Sequence, residues 1–167
     1  VPQGWAYRFV ERPRVLLLGE VTGVNVWMAL LYGARSVTVV QPNGEVTRLL
    51  TEDPRPPFER NEVEIVTLTP RTFLERANRP FDLIQVVAAE GMPAASGGLA
   101  SLSEDYLLTE KAIVAALDQL TPSGVLSVTR GLQTPARDNI RLFALFASAR
   151  RRSGLDPASH LLQGHNY

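Results

Sequence analysis

The chain has 167 residues, with 17 basic and 17 acidic side chains, a formal net charge of zero, no cysteine and a hydrophobic fraction of 45%. That is enough apolar content for one domain with one core, and the absence of thiols excludes a disulfide framework, a thiolate zinc site and a cysteine nucleophile. Zero net charge speaks against a nucleic-acid binder held by phosphate neutralisation, and apolar runs such as Val15–Leu18 and Val37–Val40 fall far short of the roughly 20 residues of a membrane span.

Arg14–Leu18 is continuously apolar after its first residue and reads as a strand buried on both faces. Gly19–Gly23 is a turn, and Val24–Tyr32 has helical spacing with Gly33 as its stop. Ser36–Val40 is a second strand, ended by the turn Gln41-Pro42-Asn43-Gly44. Glu45–Leu50 forms a short helix, Asp53–Phe58 is a proline-rich loop, and Glu62–Leu68 is a third strand. Thr69-Pro70 then supplies a cap and a first-position proline for a helix to about Ala77.

Phe81–Val87 is the fourth strand, and Ala88–Leu102 is a long Gly/Ala/Ser-rich loop. Ser103, followed by Glu104 and Asp105, caps a helix that runs to Leu120. Thr121–Gly124 is a turn, Val125–Thr129 a fifth strand, and Asp138 caps a last helix to Ser153 with Gly154 as its stop. Leu161–Asn166 reads as the start of a sixth strand. Alternating strands and helices with short connections predict a single α/β domain over residues 1–167, built on a doubly wound, mostly parallel sheet.

The zero net charge is a cancellation. Residues 1–120 hold fifteen acids and eleven bases, whereas residues 121–167 hold two acids and six bases. A basic C-terminal surface and a solvated helix around Arg150–Arg152 both account for this excess. The start at Val1, with no basic segment leading into an apolar run, shows no signal peptide and points to a piece of a longer chain.

In an open parallel sheet the ligand crevice lies at the carboxyl ends of the strands, where strand order reverses. The first strand-to-helix turn reads Gly19-Glu20-Val21-Thr22-Gly23. It is neither a GxGxxG fingerprint nor a Walker loop, since no GK[ST] follows. Its spacing fits a ligand-cradling turn and a plain tight turn equally.

At this point the run RVLLLGEVTGVNVWMALLYGARSVTVVQPN resembles the spermidine synthase-like branch of the class I S-adenosylmethionine-dependent methyltransferase fold. FDLIQVVAAEG, LSEDYLLTEKAIVAAL, LTPSGVLSVTR and the tail from TPARDN onward are similar as well, so the likeness covers nearly the whole chain from Arg14. The resemblance implies a Rossmann-like methyltransferase-type sheet lacking its C-terminal hairpin. It implies S-adenosylmethionine or its decarboxylated form as cofactor and a small-molecule acceptor as substrate. It also implies a larger, membrane-fused bacterial chain, with this domain cytoplasmic and tethered to the inner membrane. An incomplete sheet edge adds the expectation of a homo-oligomer.

Residue by residue, Gly19, Thr22 and Gly23 match the family's glycine-rich turn, while Glu20 and Val21 replace small glycines. Gln41 stands where the family places the acid that binds the cofactor ribose, and Thr69 where it places an Asp that contacts the adenine. At the end of the fourth strand polyamine synthases carry paired aspartates that hold and deprotonate an amine. Here Val87 takes the first position, and Glu90 is the one carboxylate left to act as catalytic base.

Other residues have a bland reading beside the functional one. Glu104 and Asp105 serve a helix dipole or a substrate, and Tyr106 packs or lines the crevice. His160 and His165 have no carboxylate at metal-ligand spacing. Ser96 and Ser101 lack a nucleophile elbow. Trp5 and Tyr7 pack on the fold's edge or cover the crevice. Two functions therefore compete: a methyl- or aminopropyl-transferase, and a degenerate non-catalytic module for assembly or regulation within a larger membrane protein. An NAD-dependent oxidoreductase fits the sheet but lacks both GxGxxG and the ribose acid.

Overall fold

The computed structural model describes residues 2–20, 22–52, 56–76, 78–87, 108–129 and 137–164. Its strands are β1 (Arg14–Leu18), β2 (Ser36–Val40), β3 (Val63–Val66), β4 (Phe81–Val87) and β5 (Leu120–Thr129). They form one sheet in the order β3-β2-β1-β4-β5, and every neighbouring pair is parallel. The helices are α1 (Val24–Leu31), α2 (Gly44–Glu52), α3 (Pro70–Arg76), α4 (Glu110–Asp118), α5 (Arg137–Arg152) and α6 (Pro157–His160), preceded by a 3-10 helix over Pro2–Phe9.

β1 lies at the centre, which is why its residues are apolar without alternation. Val15 and Leu17 face one core, with Ala6 and Tyr7 of the 3-10 helix and Val26 and Ala29 of α1. Leu16 and Leu18 face the other, with Leu74 of α3 and Ala116 of α4. Helices thus cover both faces of the sheet, the doubly wound arrangement expected of an all-parallel sheet. At the edge where β1 begins, Asp82 accepts from the Arg14 N–H (2.8 Å), the Arg35 guanidinium (2.8 Å) and the Thr121 hydroxyl (3.1 Å). Partial burial alone would raise its pKa, but these bonds outweigh it and hold the carboxyl below its ordinary range.

Several boundaries differ from the sequence expectations. The Thr121–Gly124 turn lies inside β5: Leu120 already pairs with Phe81, and the register resumes at Leu83 and Val125, so the intervening residues form an irregularity within the strand. Gly124 permits this, because a Cβ there would stand 3.0 Å from the Phe81 carbonyl oxygen. The helix expected to run from Ser103 to Leu120 does not pass through Thr109, which is extended and caps α4 by accepting from the Ala112 N–H. Asp138 lies inside α5 rather than ahead of it.

The sixth strand expected from Leu161 does not form over Leu161–Gly164, which is irregular. Asp156 and Pro157 start one further helical turn there instead. The tail then passes Trp5, whose ring would meet a Cβ on Gly164 at 3.1 Å. No strand follows β5 among the described residues. The C-terminal bases do not stand alone, because Arg152 of α5 pairs with Glu110 of α4 at 2.9 Å. No helix among the described residues is long and apolar enough to cross a membrane.

Candidate functional site

Strand order reverses between β1 and β4, so the crevice opens beside the turn that follows Leu18. Gly19 (φ 85°) and Gly23 (φ 81°) both lie in the left-handed region, which side-chain-bearing residues adopt only at a cost. Phe58 and Pro57 press on this turn from the loop before β3, and a Cβ on Gly23 would meet the Phe58 ring at 3.0 Å.

The residue that organises the turn is Glu20, only 1% exposed. Its Oε1 accepts from the Thr22 N–H (2.7 Å), the Thr22 hydroxyl (3.0 Å) and the Gly23 N–H (2.8 Å). Its Oε2 accepts from the Asn25 N–H (3.1 Å) and from the Asn25 side-chain amide. One carboxylate thereby satisfies the N–H groups that open α1, at the positive end of the helix dipole. Burial alone would raise the Glu20 pKa, but the bonds from Asn25, Thr22 and Gly23 prevail and hold it below the ordinary carboxylate range.

Gln41, at the end of β2, is buried and turned toward the same loop. Its Nε2 donates to the Glu20 carbonyl at 3.1 Å, and its Oε1 accepts from the Asn43 N–H at 3.0 Å. Thr69 follows β3 and is exposed; its hydroxyl accepts from the Thr72 N–H (3.2 Å) and bonds the Thr72 hydroxyl (2.8 Å), capping α3. The structure therefore brings Gly19, Glu20, Thr22, Gly23 and Gln41 together, whereas the bonds of Thr69 stay within its own helix start.

Glu90, Val21 and the side chain of Val87 lie outside the described residues, as do Ser96, Ser101, Glu104, Asp105, Tyr106 and His165. His160 sits on α6 with its Nδ1 2.8 Å from the Asp156 carbonyl. Tyr7 packs inside the fold: its hydroxyl donates to Gln85 of β4 at 2.8 Å, and its ring stacks on Tyr32 with centroids 4.9 Å apart. Burial first, and then Tyr32, push its pKa well above the phenolic range. Trp5 is half exposed beside the tail.

Sequence reading missed Asn25 and Phe58. Asn25 was open to discovery, since it is the one strongly polar residue within α1 and falls in its first turn. A single polar side chain there needs a buried partner, and Glu20 is that partner.

The resemblance implies an S-adenosylmethionine-type group at this turn, and the residues present do not fit one. Such a group needs free backbone donors at the glycine turn and a carboxylate at the end of β2. Here the N–H groups of Thr22, Gly23 and Asn25 are bonded to Glu20, and the amide at the end of β2 spends a donor and a lone pair on the chain itself.

The chain matches no protein-family model and no curated protein sequence. Its fold matches solved structures. A probable spermidine synthase from Corynebacterium glutamicum is 21% identical with a TM-score of 0.62, over 83% of this chain and 47% of that one. Spermidine synthase from Thermotoga maritima is 21% identical with a TM-score of 0.55, over 89% and 47%. A SAM-dependent methyltransferase from Agrobacterium tumefaciens is 17% identical with a TM-score of 0.56, over 88% and 47%. The chain spans about half the length of these structures. Its five parallel strands, ordered β3-β2-β1-β4-β5 with helices on both faces, have the class I methyltransferase-like fold that spermidine synthases share.

Proposed function

We propose that this domain keeps a transferase-type fold but works as a non-catalytic module, serving assembly or regulation within a larger chain. One observation carries the reading: the Glu20 carboxylate accepts from the N–H groups of Thr22, Gly23 and Asn25, so the turn is capped from within. The inward-facing Gln41 supports it, because an amide bonded to two main-chain groups of its own chain is a poor ribose anchor. Membrane tethering through the larger chain belongs to the same proposal.

Isothermal titration with S-adenosylmethionine and its thioether product tests this. The expected result is no saturable heat at millimolar ligand, with Gln41→Asp giving the same result because Glu20 remains in place. Micromolar binding by the unmodified chain overturns the proposal.

A second reading, an active methyl- or aminopropyl-transferase acting on a small-molecule acceptor with Glu90 as base, is favoured by one feature. Gly19 and Gly23 keep the left-handed backbone of a ligand turn at the point where strand order reverses. That reading requires S-adenosylmethionine or its decarboxylated form to bind, so the titration repeated with the decarboxylated form separates the two.

A further inference from the structure

The arginines of α5 form a surface that the crevice does not use. Over Arg137–Arg152 the helix carries five arginines and one aspartate. By helical spacing Ile140, Ala144 and Arg151 share one side, flanked by Phe143 and Arg150 on one edge and Arg141 on the other. Ile140 and Phe143 are 69% and 44% exposed, and Arg141 and Arg151 are exposed beside them. The opposite side already serves the core. There Ala149 is fully buried, and Phe146 lines an apolar space with Ile113 of α4 and Val128 of β5. The outer side is thus not the plainly polar face that a surface helix ordinarily turns to water. It joins unpaired positive charge to exposed apolar side chains.

Few acids balance this face. Among the described residues Arg152 pairs with Glu110 of α4 at 2.9 Å, whereas Arg141, Arg150 and Arg151 are in no ion pair. Asp156 follows the helix, but its carboxylate is bonded to the Ala158 N–H (3.1 Å) and the Ser159 hydroxyl (2.9 Å). The negative end of the helix dipole accounts for bases in the last turn. It does not account for Arg141, nor for the exposed Ile140 and Phe143 in the first two turns.

We infer that the outer face of α5 docks on an anionic lipid surface, with its arginines on the headgroup phosphates and Ile140 and Phe143 at the acyl boundary. Charge complementarity sets the partner. A cluster of bases on a helix that also exposes apolar side chains is what anionic membranes hold, each base adding about fivefold in affinity near the surface. A second copy of the chain would set arginine against arginine across the contact. A nucleic acid would engage the arginines but leave Ile140 and Phe143 with nothing apolar to enter. The inference rests on α5 alone and holds whether or not the crevice binds a ligand.

The test is co-sedimentation of the 167-residue chain with vesicles of phosphatidylcholine, and of an equal mixture of phosphatidylcholine and phosphatidylglycerol. Binding to the mixed vesicles alone, and its loss at high salt, are expected. The double variant Arg150→Gln, Arg151→Gln should bind the mixed vesicles more weakly by about tenfold or more. Ile140→Ser with Phe143→Ser, at two exposed positions, should also weaken binding while far-UV circular dichroism stays unchanged. Should the arginine variant misfold, this second variant and the salt dependence decide the matter. No binding to the mixed vesicles at low salt overturns the inference, as does equal binding to pure phosphatidylcholine. Binding that neither variant weakens overturns it too. Tighter binding to a duplex DNA oligonucleotide, unmoved by Ile140→Ser with Phe143→Ser, overturns it in favour of a nucleic acid.

Discussion

Gln41 donates from its side-chain Nε2 to the main-chain carbonyl of Glu20 at 3.1 Å, joining the ends of β2 and β1 across the mouth of the crevice. Both residues depart from the pattern of the methyltransferase fold that the chain resembles, and each completes the other's surroundings. Gln41 closes the Glu20 carbonyl, and the Glu20 carboxylate closes the N–H groups that follow it. An Asp at position 41 could not donate this bond, and a Gly at position 20 could not cap the helix.

Replacing Glu20 tests how much of the fold rests on this turn. Glu20→Ala removes a buried acceptor and leaves the Thr22, Gly23 and Asn25 N–H groups to find water. The expected loss is about 2–4 kcal/mol, read from the urea midpoint at neutral pH. A loss below about 0.5 kcal/mol would show that the carboxylate contributes little.

The pH dependence follows from the direction of the shift. Glu20 has a folded pKa below its ordinary 4.5, so its stabilisation is fully present above that value and is lost as pH falls through the depressed folded value. Asp82, held below its ordinary 3.8, contributes with the same sign. Urea midpoints from pH 7 to pH 3 should therefore show the unmodified chain losing stability faster than Glu20→Gln at the acid end. A gap between the two that stays constant with pH contradicts the charged cap.

Two glycines separate strain from crowding. A Cβ on Gly33 (φ 76°) would meet open space, so Gly33→Ala should cost only the left-handed penalty of about 1–2 kcal/mol. Gly23 adds the Phe58 ring at 3.0 Å and Pro57 at 3.2 Å. Gly23→Ala should be the more destabilising by about 1 kcal/mol or more in the same urea assay, because the cap and the loop before β3 must both shift.

Tyr7→Phe removes a buried hydroxyl that donates to Gln85 at 2.8 Å while keeping the ring on Tyr32. The expected cost is about 1–2 kcal/mol by thermal or urea unfolding. A neutral result would mean that Gln85 finds an equivalent partner and that the 3-10 helix is held by its apolar contacts alone.

The sheet was readable where burial writes itself into composition. Arg14–Leu18, Ser36–Val40 and Phe81–Val87 form strands over the residues their apolar runs predict, because both faces of the central strands are covered. Local signals failed where a distant partner overrode them. Thr-Pro-Ser-Gly reads as a turn, yet Leu120 ahead of it already pairs with Phe81. The helix read as reaching Leu120 from Ser103 does not pass through Thr109, which caps α4, while Ser103 itself lies outside the described residues.

In the crevice, the residue types at positions 20 and 41 were visible as departures, but their geometry was not. A sequence shows that a glutamate has entered a glycine turn. It does not show whether the side chain points into the crevice or folds back on its own backbone, since that depends on Asn25 five residues on and on Gln41 from the neighbouring strand.

The most direct test of the self-capped turn is the amide spectrum of the isotopically labelled chain, recorded with and without millimolar S-adenosylmethionine. With their N–H groups held by Glu20, Thr22, Gly23 and Asn25 are predicted to show no saturable change in chemical shift. Saturable shifts at these three amides would mean that the ligand reaches the turn, and would contradict the account.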